Sequence, residues 1–244
     1  MSNTLVVFRR ELTSYFVTPV AYIFLCVFLI LAGVFTWDLG GLYESNQADL
    51  SPLFFWLPVL FLILIPALSM RLWSEERRSG TIELLLTLPI GMGGAVVGKF
   101  LAAWCFTGIA LLLTAILWWT VNYLGEPDNG VILAAYVGAW LMAGAALSVC
   151  ALISALTKNQ VIAFVLSVLA LIFFTFTGFP MVVKWFSTWA PGGVVDFILY
   201  ISFWTHFNAI SRGVIELRDL IYFASVIVLF LFANAVAIDV KKGQ

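Results

Sequence analysis

Charged side chains are scarce in this 244-residue chain, 10% against 63% hydrophobic, so the place where they gather is the first pointer to chemistry. They gather in Trp73-Ser-Glu-Glu-Arg-Arg-Ser-Gly-Thr-Ile-Glu-Leu-Leu-Leu-Thr-Leu-Pro89, which sets Glu75, Glu76 and Glu83 close to Arg77 and Arg78. The stretch reads as a helix end, a break and a short new helix. Gly80 suits the positive-φ residue that ends a helix, because it has no Cβ to clash there. Thr81 is a good N-cap for the new helix, and Glu83 then falls in its first turn, near the positive end of the helix dipole. Leu84, Leu85, Leu86 and Leu88 give that helix an apolar body, and Pro89 precedes the turn into the next apolar run. A capped, leucine-rich helix of this kind suits docking into a groove on another protein. The plainer alternative is an interfacial loop whose arginines reach back to water.

The remaining chemistry-bearing residues build little. His206 is the only histidine, and Asp196 and Glu216 are too sparse around it to complete a metal site. It is expected to be a hydrogen-bonded structural or interfacial residue, and no metal is expected. Cys26, Cys105 and Cys150 lie far apart within apolar runs and are expected to be buried free thiols. The stretch from Gly93 to Lys99 approaches a phosphate-binding loop, but Phe100 stands where magnesium needs a Ser or Thr, and an apolar run comes next. Close helix packing at Gly91, Gly93, Gly94 and Gly98 is the better account. Thr175 and Thr177, among Phe173, Phe174 and Phe176, are candidates to line a pathway, or else they bond back along their own helix. No nucleophile, ligand set or acid pair clusters inside an apolar run, which argues against intramembrane catalysis.

What must position these residues is a membrane. A soluble domain carries roughly 25% charged residues, and a helical span needs about 20 mostly apolar ones. Six runs free of acidic and basic residues qualify: 20–37, 52–70, 100–124, 131–157, 159–183 and 220–238. Lipid cannot satisfy backbone polar groups, and these runs lack the alternation of a barrel, so the spans must be helices. The expected fold is all-α, a single polytopic membrane domain over residues 1–244 with six transmembrane helices. With the N-terminus inside, the inner segments hold Arg9, Arg10, Arg71, Arg77, Arg78, Lys99, Lys158, Lys241 and Lys242. The first two outer loops hold Asp38, Glu44, Asp49, Glu126 and Asp128 and no basic residue, so both termini are placed in the cytoplasm. Trp37, Trp118, Trp119 and Tyr123 fit an outer aromatic belt and Trp73 an inner one.

Two segments depart from simple spanning. Residues 1–18 carry Leu5, Phe8, Leu12 and Phe16 at helical spacing around Arg9, Arg10 and Glu11, which predicts an amphipathic helix on the cytoplasmic face. Residues 184–219 carry Trp185, Trp189, Trp204, His206 and Arg212 and are broken at Pro191, Gly192 and Gly193. That stretch is too broken to span and too apolar to float free, so it is expected to form short re-entrant helices in the outer half of the bilayer. Gradient-driven transporters and pumps place ionisable residues inside their spans, and the six runs contain none. A formal charge of -1 offers no basic surface to nucleic acid.

The pattern Glu76-x-x-x-Gly80-Thr81-x-Glu83-x-Leu85-Leu86-x-x-Pro89 resembles the hallmark loop of ABC-2 type transporter permeases. The resemblance implies that residues 71–99 form a cytoplasmic coupling loop. Glu75, Glu76, Arg77, Arg78, Gly80, Thr81, Glu83, Leu84, Leu85, Leu86 and Pro89 would then face a separate ATP-binding cassette subunit. Two further stretches are similar to the gliding-motility-type branch of that family. One runs from His206 to Phe223; the other is Phe8-Arg-Arg-Glu-Leu-x-x-Tyr15-Phe16-x-x-Pro19, which the branch uses as an elbow helix, with Phe8, Arg9, Arg10, Glu11 and Tyr15 its characteristic residues here. The family implies a permease dimer in the bacterial inner membrane, joined by two copies of the ATPase and by an auxiliary periplasmic or membrane-anchored protein. ATP and magnesium would be used by the ATPase, while the permease binds no cofactor and catalyses nothing itself. Export of a substrate is the implied activity; a mechanical relay to a periplasmic partner, with nothing transported, stays open beside it.

Overall fold

The computed structural model describes residues 3–44, 47–80 and 91–240, and the regular structure among them is helical. Helix α1 (Asn3–Val17) turns at Thr18 into α2 (Pro19–Val34), whose first position is a proline with φ already set for a helix. A π-helical turn, Phe35–Leu39, ends α2, and buried Thr36 donates back to the Ala32 carbonyl at 2.6 Å. Then come α3 (Ser51–Ser69) and α4 (Ser74–Ser79). Past residue 90 the chain forms α5 (Met92–Leu113), α6 (Ala115–Leu124), α7 (Asn129–Leu156) and α8 (Gln160–Phe176). Three short helices, α9 (Pro180–Ser187), α10 (Gly192–Ile201) and α11 (Phe203–Ser211), lead to the last long one, α12 (Leu217–Val240).

Among the described residues, five runs are long and apolar enough to cross a membrane: Ala21–Leu39, Ser51–Ser79, Met92–Leu124, Asn129–Leu156 and Leu217–Val240. The run expected as a straight fifth span, 159–183, is bent instead. Helices α8 and α9 meet at 72°, and α10 and α11 at 67°, so the count rises to seven only if each bent pair is one span. Pro180 cannot extend the hydrogen-bond ladder of α8. Gly178 leaves no room for a side chain at the bend, since an added Cβ would fall 2.2 Å from the Ser202 hydroxyl.

Helix α7 is the axis of the bundle. It is buried on most of its surface and lined with Ala134, Ala135, Gly138, Ala139, Ala143 and Gly144, small residues that let α3, α5, α8, α11 and α12 approach closely. Against α5 the approach is reciprocal. The Trp104 indole lies where a Cβ on Gly144 would be, at 2.7 Å, and the Trp140 indole where one on Gly108 would be, at 2.9 Å. Their rings stack at 4.2 Å, and each N–H donates to the other residue's carbonyl, at 2.8 and 3.4 Å. These indoles wall an open apolar groove of about 790 Å³ between α1, α5, α6 and α7.

Three expectations need correcting. Only part of the expected glycine packing is present among the described residues: an added Cβ at Gly98 would come 2.9 Å from the Thr4 carbonyl and so seats α1 on α5, whereas Gly91 and Gly93, at the start of α5, meet nothing there within 4 Å. The cysteines are free, but Cys150 alone is buried; Cys26 is exposed, because α2 hides one face only. Trp73 is no interfacial anchor: it is 1% exposed, because the chain turns inward between α3 and α4. The exposed apolar faces of α2, α8 and α12, with Ile23, Ile30, Val161, Val228 and Phe232, suit hydrocarbon as their solvent.

Candidate functional site

The first charged cluster forms where α1, α4 and α5 meet. Gly98 lets α1 lie directly on α5, and the next residue, Lys99, sends its side chain inward, leaving it 4% exposed. An ammonium has three protons to donate. Lys99 Nζ lies 2.8 Å from Glu76 Oε1, 3.3 Å from Glu11 Oε1 and 3.1 Å from the Leu72 carbonyl, so all three are used. The Trp73 ring faces the same ammonium at 5.1 Å. Arg10 adds a second cation, 2.7 Å from Glu11 and 3.9 Å from Glu76. Burial alone would raise the Glu11 carboxyl, but the Lys99 ammonium and the Arg10 guanidinium outweigh it and hold it below its ordinary value. Next to it Tyr15 stacks on Phe106 at 5.1 Å, and burial pushes its phenol upward.

A second set of bonds ties α4 to the end of α7. The N-terminal amides of a helix lack partners within it, and here Trp73 N and Ser74 N both donate to Ser154 Oγ at 3.2 Å. Ser154 in turn donates to the Met70 carbonyl at 3.1 Å. Arg77 donates to the Ala155 carbonyl at 2.6 Å, serving one of the orphan carbonyls at the C-terminal end of α7. Helix α4 therefore has two faces. Glu76 and Arg77 look into the bundle, while Glu75 and Arg78 are exposed and form no ion pair among the described residues. The helix ends as its sequence predicts, with Gly80 at φ 71°. Thr81, Glu83, Leu84, Leu85, Leu86 and Pro89 lie outside the described residues.

Of the residues expected in the elbow, Glu11 and Tyr15 pack inward, Phe8 lines the apolar groove, and Arg9 and Arg10 are exposed. Thr177 donates back to the Phe174 carbonyl at 3.5 Å and Thr175 is buried against the start of α11, its carbonyl accepting from Ser202 at 3.4 Å. Only the Thr177 bond is of the local kind; the Thr175 bond joins α8 to the start of α11.

The segment toward residue 219 divides. Trp185 and Trp189 are exposed and packed edge-on at 5.5 Å, whereas Trp204 is buried between Phe55 and Phe179. Arg212 is exposed and lines a small cavity of about 150 Å³ with Asn208 and Ser211. His206 is 2% exposed; its Nδ1 lies 2.6 Å from Asp219 Oδ1 and its Nε2 3.0 Å from the Tyr200 carbonyl. Phe207, next to His206, packs on Gly138 of α7, and Ser154 holds Trp73 beside Lys99, so the histidine and lysine clusters stand about 24 Å apart along that helix at 1.5 Å per residue. No group of three or more His, Cys, Asp or Glu residues that could hold a metal occurs among the described residues.

Sequence reasoning missed Lys99, Ser154 and Asp219. Lys99 left a usable signal, since an ammonium at the mouth of an apolar run needs a carboxylate, and Glu11, Glu75, Glu76 and Glu83 are acids expected on the same side. Ser154, one serine in an apolar helix, left none.

A family model described as ABC-2 family transporter protein matches residues 23–238. No curated protein matches the chain.

Proposed function

Since the chain belongs to the ABC-2 family of transporter proteins, and is thus a membrane permease subunit of an ABC transporter that pairs with an ATPase, we propose that the Lys99 cluster is the joint through which ATP hydrolysis moves the spans. The observation that carries this is a buried lysine whose three protons go to α1, to α4 and to the turn between α3 and α4. A push on the loop after Gly80 would reach α5 through Glu76 and Lys99, α7 through Arg77 and Ser154, and α1 through Glu11. Packed elements joined this way move as a unit, which suits a hinge-and-shear transition. Glu75 and Arg78, which are exposed, are available to the ATPase, and the loop motif assigns Thr81, Glu83, Leu84, Leu85, Leu86 and Pro89 to the same contact.

In the full proposal the permease works as a homodimer with two ATPase copies in the bacterial inner membrane. It has six spans, cytoplasmic termini, α1 as the elbow and α9 to α11 re-entrant from the outside. The loop motif and the positive-inside asymmetry support that layout; the branch near gliding-motility permeases rests on the Phe8 and His206 stretches. ATP and magnesium belong to the ATPase, this chain supplies no catalytic group, and the direction is export. A second reading, a relay to an auxiliary periplasmic protein, is favoured by α9 and α10, which bury no residue and leave Trp185 and Trp189 exposed.

The test is co-purification of the full chain with its cassette ATPase, with ATP turnover and transport measured on the complex. Glu83→Ala and the pair Glu75→Ala, Arg78→Ala should lose the ATPase on washing. Glu76→Gln should retain the ATPase yet let hydrolysis run without transport. Stable variants that all keep full coupling would refute the proposal. Trp185→Ala with Trp189→Ala should spare transport if the protein is a transporter and abolish only partner binding if it is a relay.

A further inference from the structure

The end of α10 is held to the bundle by protons. Like any helix it finishes with carbonyls that have no partner in their own ladder, and two of these, at Tyr200 and Ile201, are taken up from outside. Tyr222 of α12 donates its hydroxyl to the Ile201 carbonyl, and His206 of α11 meets the Tyr200 carbonyl through Nε2 at 3.0 Å. A carbonyl has no proton to give, so Nε2 must carry one. On its other side the ring meets Asp219 Oδ1 at 2.6 Å, a contact that also needs a proton between the two atoms. The arrangement thus holds two protons on three groups: one fixed on Nε2, one shared between Nδ1 and the carboxylate.

We propose that His206, Asp219 and the Tyr200 carbonyl form a proton-held latch that keeps the C-terminal end of α10 on α12, and that loss of one proton releases α10. With a single proton left, the ring can satisfy one neighbour only. The charge-assisted bond to Asp219 is the stronger, so the proton on Nε2 leaves, and a nitrogen lone pair then faces the Tyr200 oxygen. The repulsion falls on α10, which has no buried residue of its own to hold it. Acid does not open the latch. Asp219 Oδ2 is buried and has no partner among the described residues, so a further proton can settle there and leave both ring bonds in place.

The surroundings isolate the pair. Tyr222 stacks on the imidazole at 3.9 Å, with Phe223 edge-on at 6.2 Å and Tyr200 at 5.8 Å. Arg218 reaches over the outer side of Tyr200 at 5.3 Å and is exposed, as are Asp196, Arg212 and Glu216, none of which bonds to the pair among the described residues. Helices α3, α8 and α7, which pack on α11, contain no Asp, Glu, Lys, Arg or His. The device depends on neither an ATPase nor a substrate, so it stands or falls apart from the permease reading.

Because His206 is the only histidine, histidine-selective ¹⁵N labelling of the full chain in lipid nanodiscs reports this ring alone. Its ring nitrogens would be followed from about pH 5 to pH 10, which brackets ordinary imidazole titration, with amide exchange of residues 192–201 measured in parallel. Near neutrality and below, Nε2 should carry a proton. As it is lost on raising the pH, exchange at the end of α10 should accelerate about ten-fold beyond the intrinsic pH effect. Asp219→Asn, whose amide can donate to Nδ1 and so keep the ring's single proton on Nε2, should exchange slowly at every pH, with no step. An unprotonated Nε2 at about pH 6, or an exchange step that is absent from the native chain or persists in Asp219→Asn, overturns the latch. The ring measurement on the native chain decides the matter even if that variant does not fold.

Discussion

The two charged clusters, toward opposite ends of α7, solve the burial of charge in different ways. At one end Lys99 has one oxygen for each of its three protons, drawn from two carboxylates and a carbonyl, and Arg10 shares the same carboxylate oxygens. The partners are shared between two cations and the rim is open to water, so the knot can tighten or loosen as α1 and α4 shift. At the other end His206 and Asp219 form one pair sealed under aromatic rings, with no substitute partner among the described residues. A shared, partly hydrated network tolerates movement, whereas a sealed pair has two states. This contrast suits a moving joint at the Lys99 end and a latch at the His206 end.

Removing the hub should separate the two ends most sharply. Lys99→Met leaves Glu11 and Glu76 facing each other beside a buried Glu76 Oε2 that has no partner among the described residues. Breaking a buried pair by deleting one partner costs about 3–5 kcal/mol. Thermal unfolding in detergent should show that loss, while exchange of α10 at the far end stays native. Equal loosening at both ends would show that the clusters are not independent.

Ser154→Ala tests the joint from α7. It strips the acceptor from two buried amides, Trp73 N and Ser74 N, for a cost of about 1–3 kcal/mol. Amide exchange in α4 should rise while the Lys99 contacts survive. Tyr222→Phe probes the sealed end more gently, removing the hydroxyl bond to the Ile201 carbonyl for about 1 kcal/mol. Because the His206 bonds remain, α10 should then show the same pH step from a higher baseline. A lost step would mean that the tyrosine, not the histidine, is the latch.

These two ends were unequally legible in the sequence. Apolar runs, the helix over 3–17 and the glycine that ends α4 follow from periodicity and backbone chemistry, which are local. The reciprocal seating of Trp104 and Trp140 against Gly144 and Gly108 joins residues 36 positions apart and leaves no periodic trace. Asp219 was passed over beside His206 because a 13-residue gap filled by a turn gives no facing register. The bend after α8 was half visible: Gly178 and Pro180 mark it, but the run stays apolar to Val183, and composition alone reads it as a straight span.

The smallest effect is also the sharpest for the comparison, because the two ends should answer pH with opposite sign. Glu11 has its carboxyl held below the ordinary value of 4.5 in the folded chain, since Lys99 and Arg10 outweigh the cost of burial. A depressed carboxyl contributes stability that is fully present above the unfolded value and lost as pH falls through the lower folded one. Partial exposure and salt screening limit the contribution to about 1 kcal/mol or less. Subtracting the unfolding curve of Glu11→Gln from that of the native chain between about pH 3 and pH 7 should therefore show a deficit that grows only below the ordinary carboxyl range. Exchange of α10 should be flat across that interval and rise only in alkali, since the histidine latch is lost by giving up a proton and the Glu11 contact by taking one. If acid loosens α10 as readily as it loosens α1, the two clusters communicate along α7, and the division into joint and latch fails.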